Sequence, residues 1–213
     1  MNPTFASHPD WPAGHRQLQL IVIPDLDANS GLAGLITACR DVMRRHPAPT
    51  EPVPDASLHL TVQTIHPPGT GHVDRPTRHR LIGALEHELS TTPAFCLLVG
   101  SLLAYHGGVL ADTHNDAGFN HLLDRVRPVI ARIAGPEAIS YDSRPAHLTL
   151  RYAAPGNAAS GDALQRVLRR AVRPGHASLT VDAVHLVDTE RNPTAGRYDS
   201  TVLQRFPLAQ EPQ

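Results

Sequence analysis

Short β-branched and apolar runs recur at residues 18–23, 57–65, 95–105, 109–113, 146–152, 178–188 and 201–206. Gly, Pro, Asn or Asp stands near their ends, which is the pattern of strands. Between these runs the apolar period changes. In 31–45 the apolar residues are Leu32, Leu35, Ile36, Cys39, Val42 and Met43, the three-to-four spacing of one helix face. The same reasoning predicts helices over 76–89, which opens on Pro76, over 119–133 and over 162–172. Pro47, Pro49, Pro52 and Pro54 exclude helix and regular sheet and predict a stiff loop. Gly107-Gly108 between two strand patterns predicts a hairpin.

After the opening strand, the order helix–strand–helix–strand–strand occurs twice. The strands around His59 and His147 hold the same place in each copy. The expected architecture is α+β and bilobal: pseudo-twofold duplicated antiparallel sheets, helices on the outside and a central cleft. Residues 17–208 form this single domain, flanked by a loose, Pro-rich arm at 1–16 and a tail at 209–213.

Composition narrows the chemistry. With 41% hydrophobic and 18% charged residues in 213, the chain is globular. A formal charge of −1 and a pI near 6.9 exclude the basic stripe that holds a long nucleic acid, but leave room for a small phosphate ligand. All 19 basic residues are Arg. The missing lysines exclude a Walker-type phosphate loop, Schiff-base chemistry and a lysine-adenylate ligase. Cys39 and Cys96 form no CxxC pattern and read as small hydrophobes. The N-terminal residues lack a basic, then apolar, signal pattern, and the apolar run 95–105 falls short of the about 20 residues a membrane span needs. The expectation is a cytoplasmic monomer with no membrane partner.

The candidate chemistry lies in the paired strands. One carries His59-Leu60-Thr61-Val62, the other His147-Leu148-Thr149-Leu150. Chance alone would place a His-Leu-Thr triplet about 0.1 times in such a chain, so two at matching places call for a cause. Alternation along a strand projects His59 with Thr61, and His147 with Thr149, while the intervening Leu residues turn to the core. Strands brought side by side would converge two imidazoles and two hydroxyls on one cleft, where the histidines can act as base and acid across a phosphate. Continued alternation adds Gln63 to the first set and Arg151 to the second, an Arg being suited to a phosphate. A bulge would present Tyr152 instead. Tyr105, at a hairpin end, can stack a base. A looser copy, His176-Ala177-Ser178-Leu179, has no partner in the repeat and reads as a decoy.

The pair of His-x-Thr motifs resembles the 2H phosphoesterase superfamily, and most closely its branch of 2′-5′ RNA ligase-like cyclic phosphodiesterases. The resemblance covers residues 18 to 207, including Gly107-Gly108-Val109-Leu110 and the closing Tyr198 and Phe206-Pro207-Leu208. It implies a bilobal α+β fold and metal-independent attack on phosphodiesters, often 2′,3′-cyclic phosphates or 2′-5′ linkages of nucleotides or RNA ends. His59 and His147 match its catalytic histidines, and Thr61 and Thr149 its phosphate-binding hydroxyls. Relatives often carry Arg five residues after the second motif histidine, where this chain has Tyr152.

Two other classes compete with this reading: a nucleotide-binding sensor or scaffold that keeps the pocket, and an enzyme of the same type redirected to a non-nucleic diester. The 14 His also raise a metal reading, with Asp112, His114 and Asp116 as conceivable ligands. No His-x3-His pair shares a predicted helix with an acidic partner, so neither metal nor cofactor is expected.

Overall fold

In a computed structural model of the chain, residues 16–46, 50–66, 72–105, 107–153, 161–192 and 197–210 are described. The strands are β1 (Arg16–Val22), β2 (Thr50–Pro52), β3 (Leu60–Ile65), β4 (Phe95–Tyr105), β5 (Gly108–His114), β6 (His147–Ala153), β7 (Ala177–Val181), β8 (Ala183–Asn192) and β9 (Arg197–Pro207). The helices are α1 (Ser30–Arg44), α2 (Arg75–Leu89), α3 (Ala117–Ala134) and α4 (Asp162–Ala171). The expected arm overlaps them at Arg16, which belongs to β1, while 1–15 lie outside the described residues. So do Pro47 and Pro49 of the expected loop. Its remaining part contains a surprise, the short edge strand β2, which pairs with β6. Prolines are tolerated at such an edge because one side of the strand needs no ladder bonds.

The sheet runs β7-β4-β5-β6-β3-β1-β8-β9 with every named pairing antiparallel. Its order is symmetric about the junction of β6 and β3: β5 corresponds to β1, β4 to β8 and β7 to β9. The two halves are the expected lobes of an α+β fold, but neither is one continuous copy of the repeat. Strand β4 of the first copy sits in the lobe of β5 and β6, and β8 of the second sits beside β1. The chain crosses between lobes at Asp182, which splits the single strand expected over 178–188 into β7 and β8.

Helices α1 and α4 cover the β6–β5–β4–β7 lobe, with α1 against β7 and α4 against β4. Helices α2 and α3 pack on each other and cover β9 and β3 of the other lobe, and α3 also packs on β4. The apolar stripes read from the sequence supply the contacts: Leu32, Leu35, Ile36, Cys39, Val42 and Met43 of α1 are all buried. The alternate strand face, left without helices, is where the motif side chains stand.

The two lobes meet through one registered pair on the motif strands, Leu60 with Leu148, and both side chains are fully buried. The residues expected as a tail do not start at 209, because Ala209 exchanges backbone bonds with Thr92 and Ala94; residues 211–213 lie outside the described set.

Because Leu148 sits at the junction of the lobes, Leu148→Ala should cost about 2–5 kcal/mol, the usual range for a buried leucine. Leu103→Ala, on the helix-free face, should cost less than about 1 kcal/mol. Urea denaturation of the two variants side by side checks this ordering.

Candidate active site

The Leu60–Leu148 pair determines what lies around it. In an antiparallel register, one step away from this pair places His59 opposite Thr149 and Thr61 opposite His147. Both leucines turn to the core, so all four polar side chains share the other face, and each is only partly buried. The four residues proposed from sequence are therefore adjacent on two crossing strands, with each histidine beside the threonine of the other motif.

Each imidazole is held the same way. His59 Nδ1 lies 2.8 Å from the Ser57 carbonyl and His147 Nδ1 lies 3.2 Å from the Pro145 carbonyl. A carbonyl oxygen can only accept, so Nδ1 carries the proton and donates it. The lone pair of each neutral ring is then on Nε2. Two residues before each histidine, the backbone sets its tautomer. Sequence reasoning missed these carbonyls because a backbone acceptor leaves no mark in residue identity.

The rings differ in electrostatics. Burial pushes the His59 pKa below its ordinary 6.5; the bond to the Ser57 carbonyl opposes this, and positive charge on His147 adds to the depression.

Both motif strands bulge at the same point. Against β1, Thr61 and Gln63 pair with the consecutive residues Ile21 and Leu20, leaving Val62 as the extra residue. Against β5, Thr149 and Arg151 pair with Leu110 and Val109, leaving Leu150 extra. The bulges invert the alternation. Arg151, placed by simple alternation with His147 and Thr149, turns to the helix side instead. There it is 8% exposed, donating from Nε to Thr50 Oγ1 at 2.7 Å and from Nη2 to the Thr50 carbonyl at 2.6 Å. Burial lowers its pKa, opposed in part by the neighbouring Cys39 and Glu51.

Gln63 is likewise turned inward and fully buried. It donates to the carbonyls of Thr64 and Tyr141 and accepts from Arg127 Nη1 at 2.5 Å. Neither side chain stands on the face of the histidines, so the sequence placement of Gln63 and Arg151 there is corrected by the bulges. The face passes to Thr64 and Tyr152.

The two lobes diverge at these substituted places. Thr64 is buried and accepts from Gln19 Nε2 at 3.3 Å. Tyr152 instead stands opposite Gly108, whose φ is +144° and whose added Cβ would lie 1.9 Å from the Arg151 carbonyl oxygen. Only glycine permits that approach. Tyr152 packs edge-on to Tyr198 of β9 with ring centroids 6.1 Å apart, and burial raises its pKa. The Tyr105 hydroxyl bonds to Thr149, while burial raises the Tyr105 pKa. Three of the four tyrosines thus gather beside the second motif. Tyr198, absent from the predicted site, arrives from a distant strand.

His176 of the third, looser motif lies before β7, with Nε2 3.3 Å from Ser101 Oγ and its ring 5.8 Å from that of His114. It is on the far side of the lobe from β6. Among the described residues, no three His, Cys, Asp or Glu side chains gather as a metal site requires.

The curled antiparallel sheet with its four helices matches the fold of the 2H phosphoesterases. Similar solved structures include TT0787 of Thermus thermophilus (19% identity, TM-score 0.65, covering 92% of this chain and 99% of that one). A structure described as a phosphoesterase matches at 18% identity and TM-score 0.63, over 92% and 100% of the two chains. Escherichia coli LigT with 3′-AMP matches at 19% and 0.57, over 92% and 99%. No family model and no curated protein matches the sequence.

The depressed His59 pKa has a thermodynamic consequence. The unfolded chain takes up this proton near pH 6.5, and the folded one only at lower pH, so stability should fall as pH drops from 6.5 through the folded value. His59→Gln should flatten that part of the stability profile. NMR titration should place the His59 midpoint below 6.5.

Proposed function

We propose that the protein is a metal-independent phosphodiesterase that acts on 2′,3′-cyclic phosphates or 2′-5′ linkages of nucleotides or RNA ends. The observation that carries this reading is the crossed pairing of two His-x-Thr strands, with both Nδ1 atoms bound by carbonyls and both Nε2 atoms left for proton transfer. Escherichia coli LigT, a structural neighbour, has been seen with phosphate and with 3′-AMP, which supports a nucleotide phosphate as the ligand class.

The phosphate sits between the rings, with Thr61 and Thr149 donating to its non-bridging oxygens as charge grows on them. Burial favours the neutral form of His59, so His59 takes the proton of the attacking water. His147 then gives a proton to the departing ribose oxygen. Tyr105 and Tyr152 stand near Thr149 and are the rings on which a base would stack. Gln63 and Arg151 brace the strands from behind. We place the enzyme in the cytoplasm, working as a monomer on small substrates.

Replacing His59 or His147 by Ala should each lower kcat on a 2′,3′-cyclic nucleotide by about 10²–10⁴-fold, the scale of a lost acid or base. Thr61→Ala and Thr149→Ala should cost less, because each leaves the other donor. Binding of the phosphate product should weaken far less than turnover in the histidine variants. Turnover should persist in EDTA. Full kcat in either histidine variant would remove the mechanism, and tight nucleotide binding without turnover in the wild type would favour a sensor.

A further inference from the structure

Elsewhere on the surface arginines reach carboxylates, as Arg40 does Asp55 and Arg144 does Asp142. The end of α4 is different. Arg166, Arg169, Arg170 and Arg173 stand within eight residues, all exposed, and none pairs with a carboxylate among the described residues. Their spacing sets 166 against 170 and 169 against 173, like charges one helical turn apart, which costs stability unless an anion intervenes.

The negative end of the helix accounts for one of these cations. Arg173 Nη1 donates to the carbonyls of Arg169 at 3.0 Å and Val172 at 2.6 Å, covering the partial charge that would repel an anion. A guanidinium carries five donors, so the rest of Arg173 stays available. Arg169 makes no side-chain hydrogen bond or ion pair among the described residues.

Both arginines line a hollow of about 330 Å³ between α4, the middle of β4 and the loop before β7. Leu102, Leu168 and Val172 form its buried, apolar wall. Its other polar groups are Ser101 and His176, with the imidazole Nε2 3.3 Å from the hydroxyl oxygen. The described lining holds two guanidiniums, an imidazole and a hydroxyl, and no carboxylate. Backbone fit keeps these groups together. Gly100 of β4 has a φ of +128°, and a Cβ there would collide with the Gly175 carbonyl and the His176 ring, so the loop closes on β4 only over glycine.

We propose that this hollow is a second anion site, which binds the phosphate group of a small molecule, as a monoester or as the free ion. Two planar forks and two further donors on separate elements suit an anion with three or more terminal oxygens better than a carboxylate. The histidine of the looser third motif thereby serves a ligand without a partner in the repeat. The site lies on the far side of the lobe from β6 and does not require the two-histidine chemistry.

NMR reads both places at once, with the His176 ring reporting the hollow and the His147 ring the cleft. The probes are inorganic phosphate, AMP and acetate, titrated at constant pH and ionic strength. Phosphate and AMP should shift the His176 signals saturably, and acetate should not. Arg169→Gln, which removes no described bond, should weaken the His176 midpoint. The Arg169→Gln/Arg173→Gln double variant should weaken it by about tenfold or more, the scale of lost charge-assisted bonds. In both variants the His147 midpoint should stay within about twofold of wild type. A midpoint at least about threefold lower for AMP than for phosphate assigns the hollow to a monoester whose organic part lies on the apolar wall, and equal midpoints assign it to the free ion. The site is overturned by a wild-type His176 signal that does not saturate, by acetate matching phosphate, or by a midpoint that Arg169→Gln leaves unmoved.

Discussion

The cleft depends on a single antiparallel contact, Leu60 against Leu148, at which the two halves of a nine-stranded sheet are joined and from which they splay. Because the side-chain period of a strand is two, burying these leucines commits their neighbours to the opposite face. A slip of one residue in either strand would put a leucine in the cleft and a histidine in the core. Desolvating two apolar side chains thus specifies the position of four polar ones, and the core of the molecule acts as the jig for its chemistry.

The same strands also show how a symmetric frame produces an asymmetric site. Each bulges after its threonine, each turns the following polar residue inward, and each imidazole takes its tautomer from a carbonyl two residues earlier. Symmetry ends at the next side chain: a buried Thr64 satisfied by Gln19 in one lobe, Tyr152 over Gly108 in the other. The aromatic cluster is therefore one-sided, and its Tyr198 also lines an apolar hollow beside His59. A pair of motifs that is nearly twofold in this way stands in two different surroundings.

Inward-facing Arg151 and Gln63 illustrate a general hazard of reading strands by alternation. A guanidinium is costly to bury unless its donors are met. Here Thr50 of the edge strand β2 supplies two acceptors, and in the other lobe Arg127 reaches over from α3 to meet Gln63. These contacts hold the segments beyond each bulge, so the arginine that chemistry would assign to the phosphate is given to the frame.

Local pattern alone determined much of this protein. The periods of apolar residues marked the helices and most strands, and the recurrence of His-Leu-Thr at matching places marked the pair on which the site is built, since period and repetition are properties of neighbours in the chain. Only the tertiary structure decided the rest. The exchange of β4 and β8 between lobes, the break at Asp182 and the edge strand at Thr50 follow from which strand finds which partner, a long-range outcome. Bulges at Val62 and Leu150 arise from the register against β1 and β5, and they reassign the faces of Gln63, Arg151 and Tyr152. Tyr198 joins Tyr152 because β9 closes the sheet far from β6 in sequence. A strand's own residues record its period, but its partners determine where that period is interrupted.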